Sequence, residues 1–142
     1  MVFEHEGTLD KFIGDALLAV FGAPFDQPQH PLRAVQAALA MRDALADMNR
    51  TGDAPKLQMR IAINTGVALT GDIGSPRRRE FTVLGDVVNT ASRIEDEAAA
   101  PGDIVIAAST RARLPETIKV RSLGERLLRG RSTPLELFAV DS

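Results

Sequence analysis

The chain has 142 residues, 44% of them hydrophobic and 25% charged, which supplies one globular domain with a core. A formal net charge of -2 excludes a bulk basic surface for nucleic acid or anionic membrane, and the lack of cysteine excludes a disulfide framework or a thiolate metal centre. Two histidines, His5 and His30, are too few for a histidine-rich zinc centre, and no apolar run approaches the roughly 20 residues needed to cross a bilayer.

Residues 8 to 13 (TLDKFI) and 16 to 21 (ALLAVF) are short and apolar, and Gly14-Asp15 between them is a two-residue turn signal, so an antiparallel hairpin is predicted. After the breaker GAPFDQPQHP, residues 32 to 48 set Leu32, Val35, Ala38, Leu39, Met41, Leu45 and Met48 at helical spacings, with Pro31 near the first position. Gly52 and Pro55 end that helix. LQMRIAINTGVAL then alternates, with Leu57, Met59, Ile61 and Ile63 on one side, as one half-buried strand. GDIGSPRRRE reads as a polar connection and EFTVLG as the next strand. A second helix follows, with Asp86 as its cap and Val87, Ala91, Ile94 and Ala98 as its apolar stripe, until Pro101-Gly102. IVIA at 104 to 107, a helical turn around 109 to 114, and IKVRSL, ERLLRG and LELFAV as short strands complete the chain. Interleaved strands and helices, without repeat or linker, predict a single α+β domain, a sheet covered by helices in an α/β sandwich.

Five positions raise questions of chemistry. At about 100° per residue, Asn89 and Arg93 fall opposite the apolar stripe of the second helix. They are either a solvated surface or a working face. Asp15 fits a turn for its tolerance of positive φ. Lys11 fits a stem laid on the sheet with its head in water. Thr82, inside FTVL, fits a strand simply by being β-branched.

The combination of LDKFIGDALLAVFGAP, MRIAINTGVALTGDIGS and EFTVLGDVVNTASRIE, with the closing GERLLRGRSTPLELFAV, resembles the catalytic domain of class III adenylate and guanylate cyclases. The order and spacing of these motifs run through essentially the whole chain. The resemblance implies a ferredoxin-like palm that works as a head-to-tail dimer, a homodimer or a heterodimer of cyclase domains, with active sites at the interface. It places Asp15 at the second of two metal-binding aspartates and Arg60 at an arginine that contacts the nucleotide phosphates from the same subunit. From the opposite subunit, Lys11 and Thr82 match the pair that reads the purine. Asn89 matches the asparagine that orients the ribose, Arg93 the arginine that stabilises the transition state, and Arg129 a basic residue near the terminal phosphates. One hairpin would then serve two sites, Lys11 facing one nucleotide and Asp15 the metal of another.

The residue types suit the reaction. Attack of the ribose 3′-oxygen on the α-phosphorus of ATP, with pyrophosphate leaving, calls for two Mg2+ or Mn2+ ions, for which carboxylates are the hard ligands. Guanidinium donors suit the charge that builds on phosphorus. Adenine offers an acceptor at N1 and a donor at N6, complementing Lys11 and the Thr82 hydroxyl, whereas guanine inverts that pattern. The expected substrate is ATP, in a bacterial-type adenylate cyclase.

The sequence departs from the family at its start. The strand that would carry the first metal aspartate has no match here, and Glu4 and Glu6 lie too close to Asp15 to stand for it. The sequence therefore reads as a partial, N-terminally truncated domain over residues 1 to 142, inactive or weak alone. A degenerate, non-catalytic dimerisation or regulatory module is the alternative. Nucleic-acid binding on the sheet is disfavoured by six phenylalanines without Tyr or Trp. A cytoplasmic location is expected, with no membrane contact by this segment, whether free or within a larger membrane-attached or sensor-linked protein.

Overall fold

The computed structural model describes residues 8–13, 16–22, 29–51, 57–73 and 80–141, with the strands at 8–13, 69–73 and 80–84 followed as backbone. The elements are β1 (Thr8–Ile13), β2 (Ala16–Val20), α1 (His30–Thr51), β3 (Ile61–Ile63), β4 (Leu69–Ile73), β5 (Glu80–Leu84), α2 (Asp86–Ala98), β6 (Ile104–Ala107), α3 (Ala108–Arg111), β7 (Val120–Arg126) and β8 (Leu135–Val140).

IVIA has no polar alternation because β6 is covered on both faces, and all four of its residues are buried. Ile104 and Ile106 pack with Val35 and Ala38 of α1 and with Leu114 and Val140. Val105 and Ala107 pack with Ile94 of α2 and with Leu128 and Leu137. Alternation along one strand thus divides the core into two clusters, each under its own helix. β6 sits inside a mixed four-stranded sheet of order β3-β6-β8-β7. It runs parallel to β3, while β8 is antiparallel to both β6 and β7. The fold is α+β, as expected.

Two antiparallel ribbons complete the described strands. In β1–β2, Thr8 lies opposite Val20 and Ile13 opposite Ala16, with a register slip between Leu9 and Lys11. In β4–β5, Leu69 lies opposite Leu84 and Ile73 opposite Glu80. β5 lies against β1 and leads through one residue, Gly85, into α2. Among the described residues no helix is long and apolar enough to cross a membrane.

Four local expectations are corrected. The strand expected over 57–69 is only β3, and β4 begins at Leu69 and runs into the segment read as a polar connection. The chain leaves the sheet at Asn64 because its amide donates to the Val87 carbonyl (3.0 Å), and Thr65 bonds Thr110 hydroxyl to hydroxyl (2.8 Å). Gly85, not Asp86, caps α2: its φ of 141° needs a glycine, and its carbonyl accepts from the N–H groups of Val88 and Asn89. Asp86 instead stands in the first turn, where a carboxylate suits the helix dipole. VRSL and the start of ERLLRG form one strand, β7, because Gly124 at φ 79° makes a bulge rather than a turn. Finally, α1 runs beyond 48, and Met48 at 62% exposure lies outside the core.

The two clusters predict an asymmetric mutational response. Ile94 is 0% exposed, so Ile94→Ala is expected to cost about 2–5 kcal/mol through lost burial and a cavity beneath α2. Met48→Ala should stay within roughly 0.5 kcal/mol. Urea unfolding of both variants checks this, and equal midpoints would refute the placement of the core.

Candidate active site

α2 presents two different sides. Its inner side carries Ile94 into the core, and its outer side carries Asn89 and Arg93, as the helical period requires. Asn89 is exposed and Arg93 half-buried. Along this outer side runs the turn at residues 128–131, closed by the Arg131 N–H donating to the Leu128 carbonyl at 3.1 Å. Leu128 is 2% exposed and anchors the turn in the same cluster as Ile94.

Residues 129, 130 and 131 then follow the helix in order. The Arg129 N–H donates to Glu97 Oε1 at 3.1 Å, and its guanidinium lies 4.0 Å from the Asp96 carboxylate. That ion pair is exposed and contributes about 0–1 kcal/mol at most, leaving the Arg129 side chain available to a ligand. Gly130, at φ 84°, lies beneath the Arg93 guanidinium, close enough that a methyl group there would come within 3.3 Å of Arg93 Nη2. Arg131 Nη1 donates to Asp86 Oδ2 at 3.1 Å and to Thr90 Oγ1 at 3.0 Å. Two guanidinium groups expected to meet phosphate, those of Arg93 and Arg129, therefore belong to one helix-and-turn unit that also carries Asn89.

Arg60 lies elsewhere. It precedes β3, is exposed, and places Nε 3.2 Å from Glu95 Oε1. At about 100° per residue Glu95 leaves α2 roughly 160° from Arg93, so Arg60 does not share the Arg93 side of the helix. Lys11 sits on β1 opposite Leu18, and Thr82 sits on β5 opposite Gly71. Their strands are neighbours, and β5 feeds directly into α2. Asp15 lies outside the described residues. Among the described residues no group of three or more His, Asp or Glu side chains could hold a metal ion.

Sequence reasoning missed Thr90, Gly130 and Arg131. Thr90 is buried at 3% exposure, and its only signal was its i, i+4 relation to Asp86. The second arginine of LLRGRS gave no signal, since its partners lie 41 and 45 residues away. A cavity of about 330 Å³ opens beside Arg131, lined also by Asn64, Thr65, Asp86, Thr90 and Ser109. Among the described residues, Asn89, Arg93, Arg60 and Arg129 do not line it. The outer side of α2 is the better candidate, because that is where cationic donors converge.

Comparison with known proteins identifies the family. Residues 4–141 match the family model of the adenylate and guanylate cyclase catalytic domain. The chain is 35% identical to Adenylate cyclase 1 of Rhizobium meliloti (strain 1021), over 99% of this chain and 22% of that protein. It spans about a quarter of the length of the curated relatives it matches. Among solved structures, the adenylyl cyclase CyaB from P. aeruginosa is 30% identical with a TM-score of 0.86, over 99% of this chain and 74% of that one. The guanylate cyclase domain of RhGC from Catenaria anguillulae, in complex with GTP, is 28% identical with a TM-score of 0.86, over 99% of this chain and 75% of that one.

Proposed function

The chain belongs to the adenylate and guanylate cyclase catalytic-domain family, and from that premise we propose that it serves as an adenylate cyclase domain, converting ATP to cyclic AMP and pyrophosphate. The observation that carries this reading is the single unit of α2 and the 128–131 turn, which groups Asn89, Arg93 and Arg129. In the proposed site Asn89 holds the ribose so that its 3′-oxygen lines up with the α-phosphorus. Arg93 directs fixed N–H donors at the charge that builds on the phosphorus oxygens as the new bond forms and the bond to pyrophosphate breaks. Arg129, from the same unit, and Arg60, from the opposite subunit, hold the terminal phosphates. The Lys11 ammonium donates to adenine N1, and the Thr82 hydroxyl accepts from N6. Asp15 is the carboxylate that would hold Mg2+ or Mn2+, which supplies neutralisation of the phosphate charge when bound.

Support for a dimer comes from the separation of Arg60 and Arg93 on α2, since one nucleotide cannot readily reach both within a single subunit. A non-catalytic, cyclase-like module is the second reading. It is favoured by Asp15 being the one carboxylate of the sequence that the resemblance assigns to the metal.

Base selection tests the proposed substrate. Each mispaired buried group costs about 1–3 kcal/mol, so ATP should be preferred over GTP by roughly 10- to 100-fold in kcat/KM. Lys11→Glu should erase most of that preference. Turnover of the full-length protein with each nucleotide measures it, and equal rates with ATP and GTP would overturn the adenylate assignment.

A further inference from the structure

We infer that Arg131 is a positioning residue, which locks the first turn of α2 to the 128–131 turn and so fixes the Arg93 guanidinium over Gly130. The inference rests on the catalytic reading of Arg93 and adds a residue that the resemblance leaves without a role.

The geometry explains why a long side chain is needed. From Asp86 to Glu97 the helix rises about 16 Å. The two residues from Arg129 to Arg131 span at most about 7 Å of chain. The backbone of the turn can therefore meet α2 at Glu97 and near Arg93, but it reaches the first turn only through the side chain of Arg131. That side chain ends in two hydrogen bonds from one nitrogen, Nη1, to Asp86 and to Thr90. Thr90 is buried, so its hydroxyl is a fixed acceptor. Asp86 is mostly exposed, so its bond is the weaker tether. At the other end Leu128 is held in the core and Glu97 holds the Arg129 N–H. Arg93 lies between the two fastenings. If the Arg131 end is released, the turn remains hinged at Leu128 while Gly130 is free to move away from the guanidinium.

The fork of Arg131 is only half used. Its Nε is buried without a hydrogen-bond partner among the described residues. Lysine has no Nε to leave unpaired, and its ammonium can donate to both Asp86 and Thr90. Arg131→Lys should therefore keep the lock, whereas Arg131→Met, similar in length and uncharged, should lose it.

Peptide-resolved amide exchange and steady-state turnover of the full-length protein test this together. In Arg131→Met, exchange across residues 86–93 should rise about tenfold while α1 and β6 stay as in the parent. The kcat should fall about tenfold or more with KM for ATP within about twofold, because Arg93 acts in the transition state. Arg131→Lys should lie within about twofold of the parent in both measurements. Parent-like exchange in Arg131→Met would overturn the inference. So would exchange that rises equally in α1 and β6, or a kcat that Lys does not restore, since both mark a merely structural residue. If Arg93→Ala retains full turnover, the catalytic reading fails, while the exchange data still decide whether Arg131 holds the turn.

Discussion

Asp15→Ala chains and Arg93→Ala chains of the full-length protein, each nearly inactive alone, should recover about a quarter of parent turnover when mixed, from one intact site in the half of the dimers that are mixed. Loss of a donor aimed at transition-state charge typically costs roughly 10²- to 10³-fold, so the recovery stands well above either background. The physical ground is the sidedness of α2. Arg60 approaches the helix at Glu95, while Arg93 leaves it toward Gly130. The resemblance puts Asp15 with Arg60 in one site and Arg93 with Asn89 in the other. A mixed dimer would then gather both mutations in one site and leave the other whole. The measurement is cyclic AMP formation at fixed total protein, with the mixed dimer demonstrated by differential tagging. A mixture no more active than its components, with mixed dimers present, would overturn the shared-site assignment.

Periodicity made much of this molecule readable. Lys11, Asp15 and Thr82 were drawn into one hypothesis by motif order, and Asn89 with Arg93 by a helical period that the structure bears out. The apolar run IVIA correctly marked a strand, and the structure covers that strand on both faces. What escaped was non-local. Asn64 and Thr65 continue an alternating pattern, yet their side chains bond to Val87 and Thr110, and those remote bonds end β3. Leu127 and Leu128 read as a strand, but Leu128 turns into the core beneath α2 while Leu127 is exposed. The bonds of Arg131 to Asp86 and Thr90 cross more than 40 residues of sequence, beyond any window of local pattern. Motifs made candidate acting groups easier to name than the contacts that would hold them still. Acting groups carry motif chemistry, whereas supporting contacts depend on which distant segments meet.

The largest expected difference lies between residues 1–142 alone and the same residues preceded by a segment that brings a second carboxylate to the metal. In-line phosphoryl chemistry with two ions needs them held about 3.5–4 Å apart, and one carboxylate does not fix such a pair. The resemblance assigns that task to Asp15 alone, which follows β1 in sequence and lies outside the described residues. On the proposed nucleotide-binding side of α2, by contrast, Arg93 lies over Gly130 and Arg129 is tied at Glu97. Nucleotide affinity should thus exceed catalytic competence in the 142-residue chain. An ATP analogue should bind with a Kd within about tenfold of the extended form, while Mg2+- or Mn2+-dependent turnover should be at least about 100-fold lower. Calorimetry with an ATP analogue lacking the ribose 3′-hydroxyl, which cannot cyclise, and a cyclic AMP assay, at matched dimer content, measure the two quantities. Comparable turnover in both forms would mean that other carboxylates complete the metal site, with Glu4 and Glu6 the first to be replaced by glutamine.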